Sequence, residues 1–151
     1  MVILRHESEI LLLLRKKHPN IGMYVPVGGK VEPFETPSNT ALREVREETG
    51  IFLSSSQLQY CGSLVETSPN NYNWVCYIYL ANVHQFTPPP CDEGELHWVS
   101  IHELSTLPIP PTDETIYKYI FENRKFNFEA AYDDQLKLQW MIEMLEDEII
   151  F

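Results

Sequence analysis

The sequence predicts an α/β sandwich, a mixed β-sheet covered by helices. Three observations carry this. Glu9 to Arg15 is a short, mostly apolar run of the kind that is buried on both faces of a sheet. Leu58 to Glu66 and Asn73 to Val83 are longer strand-like runs, separated by the polar turn Ser68-Pro69-Asn70-Asn71. Two further segments, one ending before Gly50 and one from Asp113 to about Glu122, have helical periodicity and start signals. No internal repeat and no long linker interrupts this pattern, so residues 1–151 are expected to form a single domain.

In chain order, Val2 to Leu4 reads as a short strand and His6-Glu7-Ser8 as a turn before the strand Glu9 to Arg15. Lys16 to Gly22 is rich in turn formers, and Met23 to Val27 reads as a strand entering the Gly28-Gly29 turn. Thr36 suits the N-cap of the first helix and Pro37 its first position, while Gly50 suits the left-handed position that ends it. Ala41, Leu42, Val45 and Thr49 recur at helical spacing and are expected to face a core. Trp74 to Leu80 carries the β-branched and aromatic residues that fit a pleated surface. Thr87-Pro88-Pro89-Pro90 cannot continue a sheet. Glu95 to Val99 reads as a strand, and Ile101 to Leu104 as the start of a short helix. After the extended Leu107 to Pro111, Thr112 is the expected N-cap of the helix from Asp113. Phe126, Phe128, Ala130 and Tyr132 alternate, Asp133-Asp134 turns, and Leu136, Leu138 and Trp140 alternate again, which is a hairpin pattern. Residues 141–149 fit a continued strand or a short helix equally well.

The composition is 44% hydrophobic and 22% charged, as in ordinary globular domains. A net charge of −11 argues against a nucleic acid polymer or an anionic membrane as partner. It leaves room for a phosphate substrate, because bound metal ions invert the local field. Cys61, Cys76 and Cys91 form no C-x-x-C pair and are expected to be reduced thiols of a cytoplasmic protein. The longest apolar cluster, Ile10 to Leu14, is a strand rather than an anchor, and the N-terminus lacks a signal-peptide pattern.

Chemistry concentrates between Gly29 and Ile51, in a glycine turn, a loop and an acidic helix. Glu44, Glu47 and Glu48 stand at i, i+3 and i+4, which at about 100° per residue puts them on one helix face. Carboxylates crowded this way repel one another, and a hard divalent cation with oxygen ligands removes that cost. Arg43 lies four residues before Glu47 and can orient its carboxylate. Gly29, Glu35, Arg43, Glu44, Val45, Glu47, Glu48, Gly50 and Ile51 together match G-x5-E-x7-R-E-U-x-E-E-x-G-U, where U is a large aliphatic residue.

On those residues the chain resembles the Nudix (MutT-like) hydrolase family. The resemblance implies an α/β/α sandwich with a mixed sheet, and hydrolysis of a nucleoside diphosphate linked to another group X. It implies Mg²⁺ or Mn²⁺ as cofactor, with Glu44, Glu47, Glu48 and the carbonyl of Gly28 as its ligands. Glu44 is a ligand or the general base. Lys30 is a candidate phosphate contact. Glu93, with Glu95 second, is the candidate from the later acidic loop to complete the site or act as base. His18, His84, His97 and His102 show no spacing that suggests a triad.

The layout beyond the box resembles the subgroup that cleaves oxidised purine nucleoside triphosphates, and Asp113 falls where that subgroup reads the purine edge. Val25 and Pro110 depart from the base contacts of the subgroup. Tyr24, Phe34 and Trp74 are candidate stacking residues, with Tyr24 the first choice. The first reading is a diphosphatase that turns a nucleoside triphosphate, 8-oxo-dGTP-like or normal, into monophosphate and pyrophosphate. Cleavage of ADP-ribose, a sugar nucleotide or a dinucleoside polyphosphate is the alternative enzyme reading. A non-catalytic nucleotide sensor is the alternative from another class. The expected partners are a small nucleotide and, as an open alternative to the monomer, a second copy of the chain.

Overall fold

The structure, a computed structural model, describes residues 1–70 and 73–151. Asn71, the last residue of the predicted polar turn, lies outside the described residues. The strands pair both parallel and antiparallel, and with two α-helices they give the mixed-sheet α/β class expected. The chain falls into two compact units, one of residues 1–59 and 79–110, the other of residues 60–78 and 111–151.

In the first unit, strand β2 (Glu9–Arg15) is the centre. Strand β6 (Gly94–Ser100) pairs antiparallel along its whole length, from Glu9↔Ser100 to Arg15↔Gly94. Strand β1 (Val2–His6) pairs with the start of β2, and the two-residue β3 (Tyr24–Val25) pairs with Leu13 and Leu14. Beyond β1, the C-terminal half of β5 (Trp74–Asn82) runs parallel, from Val2↔Tyr79 to Arg5↔Asn82. Ile10, Leu11, Leu12 and Leu13 are all buried, so β2 is covered on both faces as its apolar run predicts.

Helix α1 (Pro37–Thr49) packs Ala41 and Val45 against Val2, Leu4, Leu11, Leu13 and Leu96. Its ends follow the sequence. The Thr36 hydroxyl accepts from the Asn39 N–H at 3.3 Å, and Gly50 takes the left-handed conformation at φ 74. Thr40 joins the buried face, while Leu42, expected in the core, is only half-buried. The helix turns its buried stripe one residue toward Thr40, whose hydroxyl donates to Glu35 at 2.8 Å.

In the second unit, β4 (Gln59–Thr67) pairs parallel with β7 (Phe126–Tyr132), which pairs antiparallel with β8 (Leu138–Glu143), and β8 with β9 (Glu148–Ile149). Gly62 is required at the β4–β7 crossing, because a Cβ there would fall on the Phe126 carbonyl. Helix α2 (Asp113–Phe121) buries Ile116, Tyr117, Tyr119 and Ile120, and the Tyr119 ring meets Phe128 edge-on at 5.0 Å.

Several expectations are corrected. Thr112 has helical backbone angles and makes no capping bond; its hydroxyl is used at 3.5 Å on the buried Glu66 carboxylate instead. Ile101 to Glu103 form a turn, and the short helix is a 3₁₀ turn at Leu104–Thr106. Leu136 is not a strand residue: the Asp133 carboxylate accepts from the N–H groups of Gln135 and Lys137, and this widens the turn and puts Leu136 at φ 59. Residues 141–149 are a strand, a turn and a second short strand. The buried Glu143 carboxylate closes that turn by accepting from the N–H groups of Leu145 and Glu146 while also holding the Asn127 N–H. All three cysteines are free thiols. Among the described residues no helix is long and apolar enough to cross a membrane.

Candidate active site

Two of the predicted carboxylates of α1, Glu44 and Glu47, meet a single guanidinium. Arg43 donates from Nε to Glu35 Oε1 at 2.8 Å and from Nη2 to Glu35 Oε2 at 3.0 Å, a two-pronged fit. Its Nη1 reaches Glu44 at 2.7 Å and Glu47 at 3.1 Å, and Nη2 also reaches the Lys30 carbonyl at 3.1 Å. Arg43 therefore ties the preceding loop to the helix and brings two of the three predicted carboxylates to one point. The guanidinium, with help from the Thr40 hydroxyl, holds the Glu35 carboxyl at about 2, and Arg43 itself is pushed above its ordinary range by Glu35 first. Glu35 was legible only as a fixed position in the spacing. Its work as the anchor of Arg43 needs the folded loop.

Glu48 sits apart from this network. Its Oε2 is buried and has no hydrogen-bond partner. Burial, then the nearby charges of Glu44 and Glu93, raise its carboxyl to about 8, against a lowering hydrogen bond from the Gly28 backbone. A Cβ at Gly29 would fall on the Glu44 carboxylate, so a side chain there would displace that carboxylate. A Cβ at Gly28 would meet the Met1 backbone, 2.9 Å from the Met1 Cα.

Glu93 comes to the charge neighbourhood of Glu48 and pairs with Arg15 at 3.1 Å. Glu95 points to Lys16, at 2.7 Å, which favours Glu93 of the two. The role of Arg15 could not be read from the sequence, where it only ends a strand. Among the described residues no three His, Cys, Asp or Glu side chains converge as a ready metal cage. Glu44 and Glu47 are instead turned onto Arg43. The donor set still fits a hard cation: it is all carboxylate oxygen, and one of those oxygens is buried and unpaired.

The remaining predicted residues are spread. Lys30 is exposed and serves Arg43 through its carbonyl. Tyr24 is half-buried and meets His97 edge-on at 5.9 Å. In the second unit Asp113 is buried at the start of α2 and accepts from the Tyr117 hydroxyl at 3.4 Å. Burial first, then the charge of Glu66, raises its carboxyl to about 8. Glu66, by sequence only the last residue of a strand-like run, is itself buried and accepts from the Tyr132 hydroxyl at 2.7 Å. A depression of about 580 Å³ lined by Ile51, Phe52, Leu53, Gln57 and residues 82–86 contains none of the predicted site residues.

The profile described as NUDIX domain matches residues 1–121. The chain is 26% identical over 125 residues to the uncharacterised Nudix hydrolase YvcI of Bacillus subtilis, covering 81% of this chain and 77% of that one. It is 35% identical over 123 residues to the NAD-capped RNA hydrolase NudC of Haemophilus influenzae. That match covers 80% of this chain but 45% of NudC, so the chain spans under half the length of such relatives. Among solved structures, a mutator MutT protein from Bacillus halodurans superposes with a TM-score of 0.82 at 25% identity, covering 94% of each chain.

Proposed function

The chain belongs to the Nudix family and is a hydrolase of pyrophosphate bonds, and from this premise we propose that its substrate is a nucleoside triphosphate, normal or oxidised, cleaved to monophosphate and pyrophosphate. The observation that supports hydrolysis of a pyrophosphate bond is the Arg43-centred carboxylate cluster with the unpaired oxygen of Glu48 near it. In the reaction water bonds to one phosphorus, the bridging oxygen leaves with the other phosphoryl group, and a proton is released.

Mg²⁺ or Mn²⁺, held by Glu44, Glu47 and Glu48, would neutralise the diphosphate and lower the pKa of bound water. Arg43 positions the carboxylates of Glu44 and Glu47 through its bonds to both. Glu44 or Glu93 takes the proton from water; Glu93 is supported by its closeness in charge to Glu48. Lys30 contacts phosphate and Tyr24 lines the substrate. We assign Asp113 the reading of the base, because burial favours its neutral form, which can donate a hydrogen bond. The free thiols suit a reducing compartment, the cytoplasm.

The similarity to NudC favours a second reading, a dinucleotide pyrophosphate as substrate. A screen of normal and oxidised triphosphates, ADP-ribose and dinucleotides in Mg²⁺, with products identified, separates the two. The first reading expects a triphosphate to be preferred, pyrophosphate as product, and no turnover in excess EDTA. Turnover of dinucleotides alone, or full activity in chelator, overturns it. Asp113→Ala should change kcat/KM unequally among two purine and two pyrimidine triphosphates; an equal change in all four removes it as the base reader.

A further inference from the structure

Phe34 is the most exposed large apolar side chain among the described residues, its ring fully in solvent. Its backbone is left-handed, with φ 66. The segment Glu32-Pro33-Phe34-Glu35 is a tight turn closed by the Glu35 N–H on the Glu32 carbonyl at 3.0 Å. Proline second and positive φ third is the pattern that tight turns fill with glycine at the third position. Here a phenylalanine occupies it, so the residue is unfavourable for the turn.

The turn is also rigidly held. Glu35 grips Arg43 with both oxygens, and its Oε2 accepts from the Glu32 N–H at 3.2 Å. Phe34 therefore stands one Cα step, about 3.8 Å, from the residue that anchors the guanidinium of the carboxylate cluster. A flat apolar ring carried in water on a hydrogen-bonded turn, one residue from the anchor of Arg43, is suited to stack on a planar group.

We propose that Phe34 is a specificity residue whose ring stacks on the base of the nucleotide. This rests on the reading that the substrate is a nucleoside polyphosphate. The test compares Phe34→Gly and Phe34→Tyr with the parent chain. Glycine removes the ring and suits the left-handed turn, so that variant should melt no lower than the parent. Its KM for the preferred triphosphate should rise about tenfold with kcat within about twofold, and Phe34→Tyr should restore the parent KM. Calorimetric titration with GMP and with ribose 5-phosphate supplies the readout that does not need turnover. The parent should prefer GMP, and Phe34→Gly should lose that preference.

If the parent cleaves no nucleotide but keeps the ring-dependent preference for GMP, the proposed function falls and the stacking role stands. A KM for Phe34→Gly within twofold of the parent, or a GMP preference that does not depend on the ring, overturns the proposal. So does a changed sedimentation coefficient in Phe34→Gly with both ligand readouts unmoved, because the ring then serves a protein contact.

Discussion

At the scale of the residue, Glu48 is the sharpest case. A buried carboxyl with an unpaired oxygen weakens the fold. Glu48→Gln keeps the shape and removes the charge, so kcat in Mg²⁺ should fall at least about 100-fold. The melting temperature in EDTA should stay at or above that of the parent, because a neutral amide is cheaper to bury than a carboxyl raised to about 8. Near-parental turnover would falsify the ligand role. That Arg43, Glu44, Glu47 and Glu48 share one helix was legible from their spacing, but that Arg43 gathers Glu44 and Glu47 while Glu48 sits apart was not. Glu35, Arg15 and Glu66 were not legible as partners. Each finds its counterpart through a loop or another strand, and no local period reports such a meeting.

At the scale of the element, α1 and β2 were readable to the residue. The helix carries its own cap and stop signals, and the strand is bounded by charges and turns. The C-terminal segment was ambiguous because a side chain, not a backbone preference, decides it. Glu143 accepts three backbone N–H groups at 2.8–2.9 Å from a fully buried position. Its removal leaves those donors unpaired. Glu143→Ala should lower unfolding stability by about 2–4 kcal/mol and loosen β9, read by urea denaturation and amide exchange at residues 144–149. A loss below about 0.5 kcal/mol would show that water replaces the carboxylate without cost. Thr112 teaches the complementary lesson. A good capping residue in the right place was drawn off by a buried carboxylate that its neighbours in sequence do not reveal.

At the scale of the whole molecule, net charge −11 and buried carboxyls act in the same direction. Asp113 is raised from 3.8 to about 8, so between those values the folded chain holds a proton that the unfolded chain has released. That contribution is fully present below the unfolded pKa and is lost as pH rises through the folded one. The slope reaches about 1.4 kcal/mol per pH unit for one such group. Stability should therefore fall from pH 5 to pH 8, and Asp113→Asn should make the profile less steep, leaving the part that Glu48 contributes, both read from urea midpoints. A parental profile that rises over this range would contradict the burial of Asp113 as a neutral acid. The Arg43 hub has a different kind of consequence, for descent. Its contacts to Glu35, Glu44, Glu47 and Lys30 all depend on one planar fork that lysine cannot reproduce. A lineage drifting at this position has no gradual path: a single substitution would untie the loop and leave Glu44 and Glu47 repelling each other. Loss of activity along such a branch would be abrupt, and its descendants would keep the fold while the now idle acids were free to vary.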